Sequence, residues 1–387
     1  MTKYDDESER IVRVKALVDE WARSGLLDQA AHARIAPTLQ VSLRRTNAFL
    51  RVTLFAFGLL IVGAGVALVA VTFEVQSALA GGALCLAAGA GCAVLAEFLI
   101  ARFRLYRFGV EEAAVTAAAL LVAVGSGLVA SPVSGRSDDP QLIVALVAGT
   151  IAWFAVYVRF GYLYAAVLAM VCASLVPFQL DLPEATTRLL SASLLGGCFN
   201  VARVKRRAPG SEFPGDGYAS IQALAWLGLY ALLNLQLFSS VAPSARQSAF
   251  YWFTYVAVWL LPAIGLWVGI RDRNRALIDV SVALALATLV TNKPYLGLEH
   301  QSWDPILFGG FLIGVAVSLR RWLERGEGGR RSGFTASRLL RSDNELLAQA
   351  GTASSAFGAV PMATPDSPSS DSFKGGQSGG AGGGASF

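Results

Sequence analysis

Between about residues 49 and 319 the chain alternates long apolar stretches with short turns carrying arginine. The hydrocarbon core of a bilayer takes about 20 helical residues to cross. On that measure ten stretches read as membrane-crossing helices: about 49–71, 77–101, 113–133, 141–158, 160–180, 189–201, 219–238, 250–270, 276–291 and 305–319. The sixth is the shortest, since its clean apolar run provides only roughly 20 Å of helix. An Arg188 that snorkels outward would let it begin near Ala185. Ahead of the spans, Ile11, Val14, Leu17, Val18 and Trp21 recur at helical spacing and predict an amphipathic helix from Glu7 to Ser24. Gly25 stops it. Asp28 then serves as N-cap, with Leu27 as a hydrophobic staple, for a second helix through Ile35 and Leu39 that runs on towards the first span. The predicted fold class is all-α: a polytopic transmembrane helix bundle of about ten spans behind an N-terminal helical hairpin. The hairpin takes residues 1–46, the bundle 47–325, and a mostly disordered Gly/Ser-rich tail 326–387.

Charge tests the span count. With the N-terminus inside, the inner turns hold Arg44, Arg45 and Arg51; Arg102, Arg104 and Arg107; Arg159; Arg203, Lys205, Arg206 and Arg207; Arg271, Arg273 and Arg275; and Arg320, Arg321 and Arg325. The five outer turns hold at most one base each: Arg136, Arg188, Arg246 and Lys293. This is the positive-inside distribution, and one span more or fewer would invert every later turn. Both termini are therefore expected in the cytoplasm. Aromatic residues agree, with Tyr251, Trp252 and Tyr255 at an outer start and Trp267 and Trp322 at inner ends.

Composition points the same way. Charged residues make up 15% of the 387 residues, against about 25% in soluble domains, and the mean hydropathy is +0.52. The net charge of +5 belongs to the turns rather than to a basic surface, which sets nucleic acid aside as a partner and makes the lipid bilayer the main one. The acidic start (Asp5, Asp6, Glu7, Glu9) has no apolar run behind a basic segment, so insertion is expected to use the first span as an uncleaved signal. Beyond Arg325 a short helix is expected over Thr335–Gln349, followed by Gly-, Ser- and Pro-rich sequence too poor in apolar surface to order itself.

Ionisable groups inside a membrane are the default functional candidates. Here they are Glu97, Glu111, Glu112 and Asp279, all near inner boundaries. They read first as partners of the arginines beside them, with Arg102 and Arg104 close to Glu97 and Arg275 four residues before Asp279. The sharper reading is an inner vestibule for a cation or proton. Asn200, Asn234 and Gln236 are the central polar residues and read as interhelical hydrogen-bonding groups. The last outer turn combines Lys293, Glu299, His300, Trp303 and Asp304, but a single histidine without a second ligand makes neither a metal nor a catalytic site. Cys85 and Cys92 stand roughly 10 Å apart along one helix, too far to bridge. No spacing marks a metal or cofactor site. Gly310 and Gly314, with Gly81, Gly82, Gly89 and Gly91, let helices approach closely, for internal packing or for a homo-oligomer.

The polar helical start containing Trp21-Ala22-Arg23-Ser24-Gly25-Leu26-Leu27-Asp28, followed by Arg51 and a Gly-rich first span, resembles the domain of unknown function 2157 family. The likeness covers the first 75 or so residues, and the rest in span layout. It implies a multi-pass protein of the bacterial cytoplasmic (inner) membrane with an N-terminal helical hairpin, and it carries over no functional residue. The expected function is a non-enzymatic scaffold or sensor whose terminal segments contact membrane or cytosolic proteins. A transporter or channel for a small or lipophilic solute is the alternative, with Pro262 and the short sixth span as helix breaks. An outer-face enzyme using His300 with Glu299 or Asp304 is a third reading.

Overall fold

The computed structural model describes residues 6–39, 43–44, 46–131, 140–207, 216–237, 248–298, 301, 304–325, 330–331 and 334–335. Its elements are helices, apart from a two-residue antiparallel pairing of Arg330–Arg331 with Phe334–Thr335. Two helices come first, α1 (Asp6–Arg23) and α2 (Gln29–Ile35), with Gly25 at φ +71° in the turn between them. His32 Nε2 on α2 lies 2.9 Å from Asp19 Oδ1 on α1. Ten helices follow: α3 (Ala48–Thr72), α4 (Ala78–Phe103), α5 (Val110–Val129), α6 (Pro140–Phe160), α7 (Leu163–Leu175), α8 (Glu184–Arg207), α9 (Asp216–Leu233), α10 (Ala249–Arg271), α11 (Arg275–Leu296) and α12 (Asp304–Glu324). Each of the ten apolar stretches lies on one of them. Among the described residues, six are long and apolar enough to cross a membrane, namely α3, α4, α5, α6, α10 and α11.

Local chemistry sets the helix starts. The side chains of Asn47, Ser77, Ser248 and Asn274 accept hydrogen bonds from the backbone N–H groups of Leu50, Ala80, Phe250 and Leu277 and so cap α3, α4, α10 and α11. Asp28 occupies the N-cap position of α2 with extended backbone, yet its side chain makes no capping bond.

Several boundaries differ from expectation. The ninth stretch runs on to Leu296, so Lys293, read as an outer-turn base, lies in the last turn of α11. The second helix does not run into the first span: α2 gives way to a 3-10 turn over Ala36–Leu39, and residues 46–47 are non-helical. The fifth stretch is shortened at both ends. Gly161 adopts φ +71°, a conformation favouring glycine, and Pro177 sits in a 3-10 turn over Val176–Gln179. The sixth is longer than its apolar run and unbroken, because the i,i+4 pair Glu184–Arg188 starts the helix and Lys205–Arg207 ends it, favourably placed for the helix dipole. The seventh stops at Leu233, so Asn234 and Gln236 lie in a turn beyond α9 rather than inside a span.

Two apolar cores share α7. One joins Ala96, Ala114, Val115, Ala119, Trp153 and Val156 to Ala165 and Ala169. The other joins Ala166 and Met170 to residues of α8–α11, including Leu195, Phe199, Trp226, Tyr230, Val258 and Leu277. Glycine sets the α4–α5 distance: a Cβ on Gly82 would stand 2.8 Å from the Gly125 carbonyl oxygen, so no other residue fits without parting the helices. The outer surface is apolar. On α3 no residue is fully buried, and Phe49, Ile61 and Val71 are 80%, 70% and 76% exposed. Water does not tolerate continuous apolar surface of this extent, whereas lipid does.

Candidate functional site

The inner-boundary acids are positioned by the turn between α4 and α5. Arg104 and Arg107 take left-handed backbone conformations, and Gly109 sits at φ +113° with its Cα so close to α3 that a Cβ would meet the Arg51 carbonyl oxygen at 2.4 Å. The segment before α3 pairs with this turn, the Arg44 N–H donating to the Arg104 carbonyl at 3.0 Å and the Tyr106 N–H to the Arg44 carbonyl at 3.1 Å. Thr46 Oγ1 donates to the Phe108 carbonyl. The turn thus presents Glu111 and Glu112 in the first turn of α5 with their side chains directed inward.

Each acid meets a different partner. Arg51 grips Glu112 with two donors, Nε to Oε2 at 2.9 Å and a terminal nitrogen to Oε1 at 2.5 Å. Glu111 is fully buried, and its Oε1 accepts the Phe108 N–H at 2.5 Å. Glu111 Oε2 has no partner among the described residues. Glu97 takes two bonds from Arg159, at 2.8 and 3.3 Å. Asp279 is exposed and stands 3.8 Å from Arg275, the i,i+4 partner its spacing predicts. An aromatic stack of Phe160, Tyr162 and Tyr164 runs beside this region, and Tyr164 meets Thr116 at 3.2 Å.

Beneath α1 these helix ends line an open pocket of about 630 Å³. Its walls come from α1 (Val12, Arg13, Leu17), the start of α3 (Arg51), the α4–α5 turn (Tyr106, Arg107) and the start of α9. Val12 anchors α1 by packing with Tyr106 and Ile100.

The remaining candidates lie elsewhere. Asn234 is fully buried and donates to Tyr230 Oη at 3.0 Å and Thr291 Oγ1 at 3.1 Å, while its own oxygen accepts the Gln236 N–H. Gln236 reaches Tyr251 Oη at 3.4 Å. With Tyr230–Thr288 at 2.9 Å, Tyr251 donating to the Tyr295 carbonyl at 2.7 Å, and the Leu235 N–H donating to Tyr295 Oη at 2.8 Å, they tie α9, α10 and α11 together. Asn200 donates to the Gly196 carbonyl of its own helix. Asp304 accepts from Lys293 Nζ at 2.5 Å and from the Gln301 N–H at 2.9 Å. Glu299 and His300 lie outside the described residues, as does most of the tail. Most of the described candidates therefore fall into separate acid–arginine pairs at one end of the helices and, at the other, a hydroxyl–amide network together with the Lys293–Asp304 pair. Among the described residues, no three of His, Cys, Asp and Glu gather as a metal site.

One group has no counterpart among the residues singled out from sequence. Arg203 and Arg207, one turn apart on α8, both bond Asp272 at the end of α10, Arg203 Nε at 2.6 Å. Burial raises the Asp272 carboxyl, and the hydrogen bonds and charges of the two arginines more than offset this, leaving it below the ordinary aspartate range. The i,i+4 spacing of Arg203 and Arg207 is visible in the sequence, but their partner lies 65 or more residues away.

Helices of membrane-crossing length, apolar outward surfaces and charges gathered at the helix ends are the marks of an integral membrane protein. No family model, curated protein or solved structure matches the chain.

Proposed function

We propose that the chain crosses the bacterial inner membrane ten times with both ends in the cytoplasm, and that it acts without catalysis as a scaffold or sensor through its terminal segments. The bacterial assignment rests on the resemblance of residues 21–28 and the first span to the domain of unknown function 2157 family. The even count is supported by the way the arginine-bearing turns meet. Arg44 with Arg104, Arg51 with Glu112, Arg159 with Glu97 and Arg203 with Asp272 all join turns assigned to one side, whereas Arg188 bonds the Leu232 carbonyl on the other.

The observation that carries the scaffold reading is the seating of α1. It buries Val12 and Val18 but leaves Leu17 41% and Trp21 44% exposed, an apolar edge on a helix already docked. Full-length protein carrying Leu17→Asp and Trp21→Asp should lose the crosslinked neighbours captured by the parent chain, while the fold, held through Val12, persists. Identical crosslinking patterns would count against the proposal.

Transport is the second reading, and one observation favours it. Gln222 Nε2 and Ser281 Oγ are buried in the α8–α11 core without hydrogen-bond partners among the described residues, and buried polar groups of this kind mark solute pathways through a membrane. Solute flux into proteoliposomes that disappears in Ser281→Val would move this reading ahead.

A further inference from the structure

A second cavity, of about 360 Å³, lies between the last turn of α8 and the α10–α11 turn, and is lined by Arg203, Arg206, Arg207, Arg271 and Asp272. Four arginines line it with one aspartate, an excess of three positive charges among the lining residues. Their geometry is fixed. The α10–α11 turn is held by the Asp272 N–H donating to the Val268 carbonyl and the Asn274 N–H to the Gly269 carbonyl, each at 2.8 Å. Asn274 is anchored further by Gln222 at 2.9 Å, and Arg206 donates to the Arg273 carbonyl at 3.1 Å. Arg203 has both Nε and a terminal nitrogen on Asp272, so it orients the carboxylate. Arg271 has no acidic partner among the described residues. Its guanidinium lies over the Trp267 ring, 5.4 Å from the centroid, and that indole faces outward.

Clustered like charges repel, and a site that holds them together is relieved by an anion. Guanidinium forks match the paired oxygens of phosphate. An exposed tryptophan at a helix end sits at headgroup level, so the cavity opens where phospholipid phosphates lie. We propose that this cavity binds a phosphate group, presented by the headgroup of an anionic lipid. A free phosphate ion shares the chemistry and is separated from lipid by experiment. The proposal draws on the membrane reading for the level of Trp267, and is independent of the role given to α1.

The test uses full-length protein in neutral detergent, titrated separately with dioctanoyl phosphatidylglycerol, dioctanoyl phosphatidylcholine and inorganic phosphate, with the shift in unfolding midpoint as readout. Phosphatidylglycerol should stabilise the parent and phosphatidylcholine should not. The Arg206→Gln/Arg271→Gln variant leaves the Asp272 clasp intact and should weaken the apparent affinity about tenfold or more. Arg102→Gln/Arg320→Gln removes equal charge from the same side and should bind as the parent does. Arg271→Lys, which keeps the charge and loses the fork, should lie in between. Equal binding by parent and site variant, equal loss in the control variant, or equal stabilisation by phosphatidylcholine would overturn the proposal. Saturation by inorganic phosphate that leaves phosphatidylglycerol nothing to add would overturn the lipid assignment. Co-flotation of every variant with neutral vesicles separates failure of this site from failure of the membrane reading.

Discussion

Arg51 and Glu112 form the tightest described link between α3 and the remaining helices, and removing either partner should not be equivalent. The Glu112 side chain is 5% exposed and that of Arg51 35%. Arg51→Leu strands a buried carboxylate, a change that destabilises folded proteins by about 3–5 kcal/mol. Water reaches the arginine side of the pair, so we expect the lower end, about 3 kcal/mol. Glu112→Leu leaves a guanidinium at the rim, where it can turn to water or headgroups, and the loss should be about 1–2 kcal/mol. Replacing both by leucine removes the charge problem and adds apolar contact between α3 and α5. That double variant should fall within about 1 kcal/mol of the parent, giving a coupling energy of about 3–5 kcal/mol. The assay is unfolding in mixed micelles with rising SDS fraction, followed by far-UV circular dichroism. A double variant as unstable as the two single losses added together would refute the reasoning, because it would show that the pair contributes no coupling.

Gly109→Ala should destabilise by at least about 1–2 kcal/mol from backbone strain alone, and by more from its clash with the Arg51 carbonyl, read in the same micelle titration. Tyr295→Phe leaves the buried Leu235 N–H without its acceptor and should lower stability by about 1–3 kcal/mol, with faster hydrogen exchange at Leu235. The Asp272 carboxyl is held below its ordinary value of 3.8. Its pairing therefore contributes stability that is fully present above that value and is lost as pH falls through the lower, folded value. Unfolding midpoints measured from pH 5 downward should drop in the parent, and the Asp272→Asn variant should show a smaller drop.

The positions of the helices were legible because apolarity and arginine placement report on lipid and interface directly. Ten apolar runs lie on ten helices, and where the edges moved, the cause was backbone chemistry that hydropathy does not carry, such as Gly161 in a left-handed conformation, Pro177, and the charged first turn of α8. Pairings across the bundle were not legible. Glu97 lies close in sequence to Arg102 and Arg104, yet it takes Arg159, 62 residues away. A helix apolar on every side, as α3 is, carries no periodic signal of which side faces its neighbours, so its rotation is set by contacts such as Gly58 against Ala113 that only three dimensions reveal. The Arg203–Arg207–Asp272 group was hidden for a related reason. As sequence, its arginines look the same as every other inner turn.

The lack of any fully buried residue on α3 bears on how the protein is made. During translation α3 is completed forty residues before Glu112 is added, so it reaches the membrane ahead of α5 by that length of chain. Over that interval it must remain in the translocon or drift in lipid as a lone helix, with Arg51 held in the headgroups. Its capture then waits for α5, whose first turn supplies the carboxylate and whose Ala113 receives Gly58. Biogenesis of this half of the molecule is thus a latching event, in which the earliest helix to insert is among the later ones to find its place.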